Sequence, residues 1–110
     1  MAKTNYSDEA LQDLERIGDY ISETLKSPIA ALNTVNKIQD GIDNLEGFPF
    51  IGASLSFLFD IETDYRYLVC GSYLSFYRVE DDVVYIDRIL NGRQDYLSIL
   101  FPNLPPEDVN

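Results

Sequence analysis

Between Tyr65 and Tyr96 the chain reads YRYLVCGSYLSFYRVEDDVVYIDRILNGRQDY, three short runs separated by turn residues. No stretch between those runs is long enough for a helix, so the three strands they predict pair antiparallel. Gly71-Ser72 is a two-residue hairpin signal, because Gly accepts the positive φ of the tight mirror-image turns. Glu80-Asp81-Asp82 makes a second polar turn and Asn91-Gly92 closes the third strand. With Gly71-Ser72 as the loop, Cys70 sits opposite Tyr73 and directly paired residues share a face. One face then holds Tyr65, Tyr67, Val69, Leu74, Phe76 and Arg78. The other holds Arg66, Leu68, Cys70, Tyr73, Ser75, Tyr77 and Val79. An antiparallel sheet with one wet face alternates apolar and polar. Here both faces are apolar, with single arginines set among aromatic and aliphatic side chains, so a second cover is needed.

The first half of the chain supplies cover for one face. Ser7-Asp8-Glu9 is a helix start, a hydroxyl cap followed by acids that suit the positive end of the helix dipole. Leu11, Leu14, Ile17, Ile21 and Leu25 follow at helical spacing. Ser27-Pro28 opens a second helix, with Pro where its missing N–H costs nothing. Its stripe is Ala31, Leu32, Val35, Ile38, Ile42 and Leu45, stopped by Gly47 and Phe48-Pro49. With almost no loop at Lys26, the helices form an antiparallel hairpin, and Ala2 to Tyr6 adds an edge strand. The expected fold is α+β: N-terminal edge strand, two-helix hairpin, then a three-stranded antiparallel sheet with the helices on one face. Gly52 to Thr63, with Phe57, Leu58 and Phe59, reads as an irregular connection folded back on the core.

The expected organisation is one domain over residues 1–101 and a Pro-rich acidic tail, 102–110, that is flexible. No run approaches the roughly 18–20 apolar residues of a membrane span, and the first residues carry no signal-peptide core, so the expected location is cytoplasmic, away from membranes. The single cysteine, Cys70, reads as a small buried apolar residue in a reducing compartment.

Eight basic residues against nineteen acidic ones give a net charge of −11. Binders of phosphate backbones are ordinarily basic, because they gain affinity by releasing counterions. From residue 38 onward every cation is an arginine, namely Arg66, Arg78, Arg88 and Arg93, all in the strand block. Arginine without lysine favours bidentate or stacked contacts. Each either pairs within the fold, with Glu62, Asp64, Asp87 or Asp95, or is offered to a partner. The chain has no histidine, the commonest general base and transition-metal ligand. Its carboxylates have no spacing of a catalytic pair or metal loop. Asp60, Glu62 and Asp64 alternate, but lack the Gly and closing Glu of a calcium loop. No Gly-rich phosphate loop appears. The residues by themselves therefore name no reaction, metal or cofactor.

The order of elements does carry a resemblance. An edge strand, a helical hairpin opening YSDEALQDLERIGDYI, then FPFIG, then the tyrosine-rich strand block resembles the RelE/ParE superfamily of bacterial toxins, ParE-like more than RelE-like. The likeness runs from Tyr6 to Phe101. Its most specific parts are Tyr-Ser-Asp-Glu-Ala, Phe-Pro-x-x-Gly, Gly-x-Tyr-Leu-x-Phe-Tyr-Arg-Val and Leu-x-Gly-Arg-x-Asp-Tyr.

The resemblance implies the toxin of a type II toxin–antitoxin, or plasmid-stabilisation, module, held inactive by an antitoxin that lies on its sheet. The apolar face left uncovered by the helices fits such a partner. Leu74, Phe76, Arg78, Arg88, Arg93 and Asp95 are the expected antitoxin or target contacts. Leu74→Asp or Phe76→Asp is then expected to weaken binding without unfolding the chain. RelE-like members cleave mRNA on the ribosome with a basic cluster and a C-terminal aromatic or His. Here only Arg66, Arg93 and Tyr96 match, and Leu74 stands where a key arginine belongs. ParE-like members act on DNA gyrase without that cluster, and this chain looks closer to them. Two alternatives remain: an mRNA endoribonuclease, and a non-toxic relative that only binds its antitoxin or a second copy as a homodimer. No cofactor and no metal are implied.

Overall fold

A computed structural model describes residues 2–103 of the chain; the expected tail lies almost wholly outside the described residues. The elements run β1 (Lys3–Tyr6), α1 (Asp8–Asp19), a π-helical turn (Tyr20–Thr24), α2 (Pro28–Asp43), a 3-10 turn (Asn44–Glu46), β2 (Ala53–Ser54), α3 (Leu55–Phe59), β3 (Arg66–Cys70), β4 (Tyr73–Glu80), β5 (Val83–Asn91) and α4 (Tyr96–Leu100).

Both helix starts work as their residues predict. Ser7 Oγ accepts the Ala10 N–H at 3.0 Å, and Ser27 Oγ accepts that of Ala30 at 3.3 Å, with Pro28 in the first turn. At its end α1 widens into the π turn, where Leu25 N–H reaches Tyr20 O at 3.2 Å. Lys26, at φ 58°, then reverses the chain into α2. Leu14, Ile17 and Ile21 face Ala31, Ile38, Ile42 and Leu45 in the core. Leu11, Leu25 and Leu32, expected in the same stripes, are instead 51%, 57% and 63% exposed. The buried arc of α1 is rotated toward Asp13, only 2% exposed, and this carries Leu11 outward.

The sheet has five strands in the order β1-β5-β4-β3-β2. The three central strands pair antiparallel with Cys70 opposite Tyr73, the expected register. Gly71 sits at φ 59°, where it needs no Cβ compromise. The second turn is tighter than expected: Glu80 pairs with Val83, leaving Asp81-Asp82 as the loop with Asp81 at φ 54°. Asp tolerates that left-handed conformation better than most side chains. Two features add to the expected topology. β1 joins β5 in parallel, which the intervening helical hairpin allows as a crossover. Within the Gly52 to Thr63 connection, Ala53 and Ser54 pair with Tyr67 and Arg66, and α3 follows. Gly52 is obligatory there, since a Cβ would stand 2.5 Å from Tyr77 Oη and 2.7 Å from Tyr67 O.

One bulge sets the faces of β5. Phe76 pairs with Arg88 but Tyr77 with Ile86, so Asp87 is the extra residue. Val84, Ile86 and Ile89 therefore all point to the helices, while Leu90 points to the opposite face. The helix-side core also takes in Tyr77, with Leu68, Cys70, Tyr73 and Val79 packed around it.

The opposite face, expected to stand open, is covered by the chain itself. Leu55, Phe76 and Leu90 form a second core beneath α3 and α4. Phe76 is 0% exposed, with the Tyr96 ring 5.2 Å away, and Leu74 is partly buried in the same cluster. The physical reason is the amphipathic run Tyr96-Leu97-x-Ile99-Leu100-Phe101, which folds back on these apolar groups. No described helix is long and apolar enough to cross a membrane.

Candidate functional site

The molecule's most elaborate polar site is built where α1 crosses the free edge of β5. β1 covers that edge only as far as Ile86. Beyond it the edge is met by α1: Ser7 N–H donates to Ile86 O at 2.9 Å and Ser7 Oγ donates to Asp87 O at 2.7 Å. One helical turn further on, the buried Asp13 carboxylate accepts the Ile89 N–H at 2.9 Å. It also accepts two N–H bonds from Arg88, at 2.8 and 2.9 Å, and one from Arg16 at 3.3 Å. The Asp13 bond holds the Arg88 guanidinium in its charged form, raising its pKa against the opposing effect of burial. Such bidentate pairs are strong and directional.

Beside this hub lies a cavity of about 470 Å³ between α1, the π turn and the end of β5. Asp13, Arg16, Ile17 and Tyr20 line it from the helix side. Tyr73, Ile89, Leu90, Asn91, Arg93 and Gln94 line it from the sheet side. Burial, then the proximity of Tyr20, pushes the Tyr73 phenol above its ordinary pKa. The turn after β5 is laced by its own side chains: Asn91 N–H donates to Gln94 Oε1 and Arg93 N–H to Asn91 Oδ1, both at 2.9 Å. These bonds leave the Arg93 side chain exposed at the rim.

The expected site residues fall into distinct environments. Arg78 lies over the Tyr85 ring at 4.6 Å and donates to Asp87 at 3.0 Å and Glu80 at 3.1 Å. The Asp87 bond raises its pKa, and the Tyr65 hydroxyl donates to the same carboxylate oxygen at 2.8 Å. Arg66 spans the Phe50 and Gly52 carbonyls at 3.2 and 2.8 Å and lies against the Phe50 ring. Asp95 caps α4 through the Ser98 N–H and hydroxyl. Arg78, Arg88 and Asp95, expected as partner contacts, thus each serve the fold, and Phe76 is sealed in the second core. Of the four strand-block arginines, Arg93 alone has neither an ion pair nor a side-chain hydrogen bond among the described residues.

The three residues matched to a nuclease do not converge. Arg66 is on the helix-side face, tied to the segment before β2, and lines a separate cavity. Tyr96 packs on the opposite face against Phe76 and Phe59. Arg93 borders the α1 cavity. Among the described residues no three His, Cys, Asp or Glu groups come together as metal ligands. Sequence reading missed Asp13, Arg16 and Tyr20. The available signal was an acid on the border of an apolar helical stripe, three residues before an arginine.

The fold is thus a helical hairpin laid on a largely antiparallel sheet, with the N-terminal strand in parallel on its last strand. The sequence profile described as "ParE toxin of type II toxin-antitoxin system, parDE" matches residues 5–96, and the chain belongs to that family. No curated relative matches it. Among solved structures it is similar to one titled "Chromosomal ParDE TA system from P. aeruginosa", with 24% identity and a TM-score of 0.69, over 83% of this chain and 96% of that one. It is also similar to YafQ from E. coli strain BL21(DE3), with 14% identity and a TM-score of 0.51, over 88% of this chain and 98% of the other. At these identities the two structures speak to the fold.

Proposed function

We propose that this chain is a cytoplasmic toxin directed at DNA gyrase, neutralised by a cognate antitoxin that covers the end of β5 around Arg93. The observation that supports gyrase over mRNA is the dispersal of Arg66, Arg93 and Tyr96. Cleaving a phosphodiester needs several cations and a proton-transfer group converging on one phosphate. Here Arg66 is spent on two backbone carbonyls and Tyr96 on aromatic packing. The net charge of −11 also opposes binding to ribosomal RNA. Antitoxin contact falls to Arg93 and its exposed surroundings, with the partly buried Leu74 at the margin.

Controlled expression of the chain alone tests this reading, with Arg93→Ala beside it. Growth arrest by the wild type, relief by the variant and loss of supercoiling by purified gyrase are the expected results. Arrest with cleaved mRNA and normal supercoiling would assign the nuclease activity instead. Normal growth with soluble protein would leave a non-toxic binding module, a reading that the acidity of the chain favours.

A further inference from the structure

The cavity beside Asp13 presents donors to whatever enters it. Gln94 Oε1 and Asn91 Oδ1 are committed to the backbone N–H groups of the turn. The Gln94 amide therefore has its NH2 left to offer a guest, while that of Asn91 turns to the Tyr73 hydroxyl. Arg16 and Arg93 carry donors and no acceptor. The wall's single carboxylate, Asp13, is 2% exposed and already receives Arg88, Arg16 and the Ile89 N–H. It neither attracts a cation nor cancels the rim. Arg16, 67% exposed on a single 3.3 Å contact, and Arg93 keep most of their donors free. A guest that answers this wall is anionic and rich in acceptors. Ile17 and Ile89 on the floor ask that it also carry an aliphatic stem.

A glutamate or aspartate side chain meets both demands, and a nucleic acid meets only the first. A nucleic acid strand brings a further phosphate charge with every nucleotide. Beyond the two rim arginines this chain, at −11, repels each of them. One carboxylate feels mainly the local field, since screening at physiological salt acts within about 8 Å. We propose that this cavity receives an acidic side chain from an extended segment of the antitoxin, held by Arg16 and Arg93 over Ile17. The proposal rests on the reading of the chain as an antitoxin-held toxin and adds the chemistry of the contact.

The test is an NMR titration of the full-length, isotope-labelled protein with the peptide acetyl-Glu-Leu-Glu-Leu-amide. Its readouts are the arginine Nε–H and the Asn91 and Gln94 side-chain NH2 signals. Saturable shifts with this peptide, none with its Gln counterpart, and loss of binding in Arg16→Glu/Arg93→Glu are expected. The Lys counterpart should then bind that double variant. Equal shifts with the Gln peptide, no shifts, or a stronger response to a short single-stranded oligonucleotide would overturn the proposal. Because the titration uses no antitoxin and no cells, its failure leaves the growth test untouched. Against a cognate antitoxin, Arg16→Glu should weaken binding by about tenfold or more. Unchanged affinity, with the acidic peptide still bound, would separate the cavity from the antitoxin and sink the assignment.

Discussion

At the scale of single residues, the arginines show how charge is used here. Arg88 and Asp13 form a buried-edge pair whose loss leaves a guanidinium and the Ile89 N–H without an acceptor. Asp13→Ala should therefore cost about 3 kcal/mol, read from denaturant unfolding. Phe76→Ala should cost about 3–5 kcal/mol, because it empties the middle of the second core. An unfolding midpoint near wild type would instead place Phe76 outside the packed interior. Two phenols predict alkaline behaviour. Burial, with nearby Asp43, pushes Tyr6 up to about 12, and burial, with the Asp87 bond, does the same to Tyr65. In the unfolded chain both ionise near 10, so protons are held more tightly in the folded state. The stability they add is whole below pH 10 and drains as the pH rises toward about 12. Tyr65→Phe should flatten that decline in an alkaline unfolding series. The residues themselves exposed the question of arginine pairing but only part of its answer. Asp87 was among the acids that sequence offered; Asp13, some seventy-five positions away from Arg88, was not.

At the scale of elements, legibility tracked length and period. The β3 to β5 block was readable because Gly71 and Asp81-Asp82 punctuate alternating runs, and α1 and α2 because their caps and stripes agree. α3 and α4 have five residues each, too few for a helical period to show. They were missed, and with them the cover of the second face. The β5 bulge was equally hidden, since one extra residue at Asp87 leaves composition unchanged while reassigning Arg88 and Ile89. Short helices are marginal on their own and depend on tertiary packing. The α4 amides, such as Phe101 N–H bonded to Leu97 O, should therefore exchange with solvent well before those at the centre of β4 and β5. Mass-resolved hydrogen exchange checks this, and equal protection would mean that α4 opens only with the whole fold.

At the scale of the whole molecule, one sheet separates two cores inside a strongly acidic surface. Family and fold were legible from the order of elements, while the candidate cavity was not, because its walls come from α1 and from a turn about seventy-five residues later. A net charge of −11 on so small a body implies self-repulsion that dissolved ions relieve. Thermal stability should rise between low salt and about 0.15 M salt. A flat or falling trend would mean that the internal ion pairs outweigh the surface field.

The parallel seam between β1 and β5 joins Ser7 to Asp87, eighty positions apart. A ribosome adding about 5–20 residues per second needs roughly 4–16 s to cover that interval. Until then the first strand has no strand to pair with, and the wall that carries Arg93 has not been made. Whatever this protein does at that end of the sheet, it cannot do while still being translated, and a binding partner made in parallel has those seconds in which to arrive.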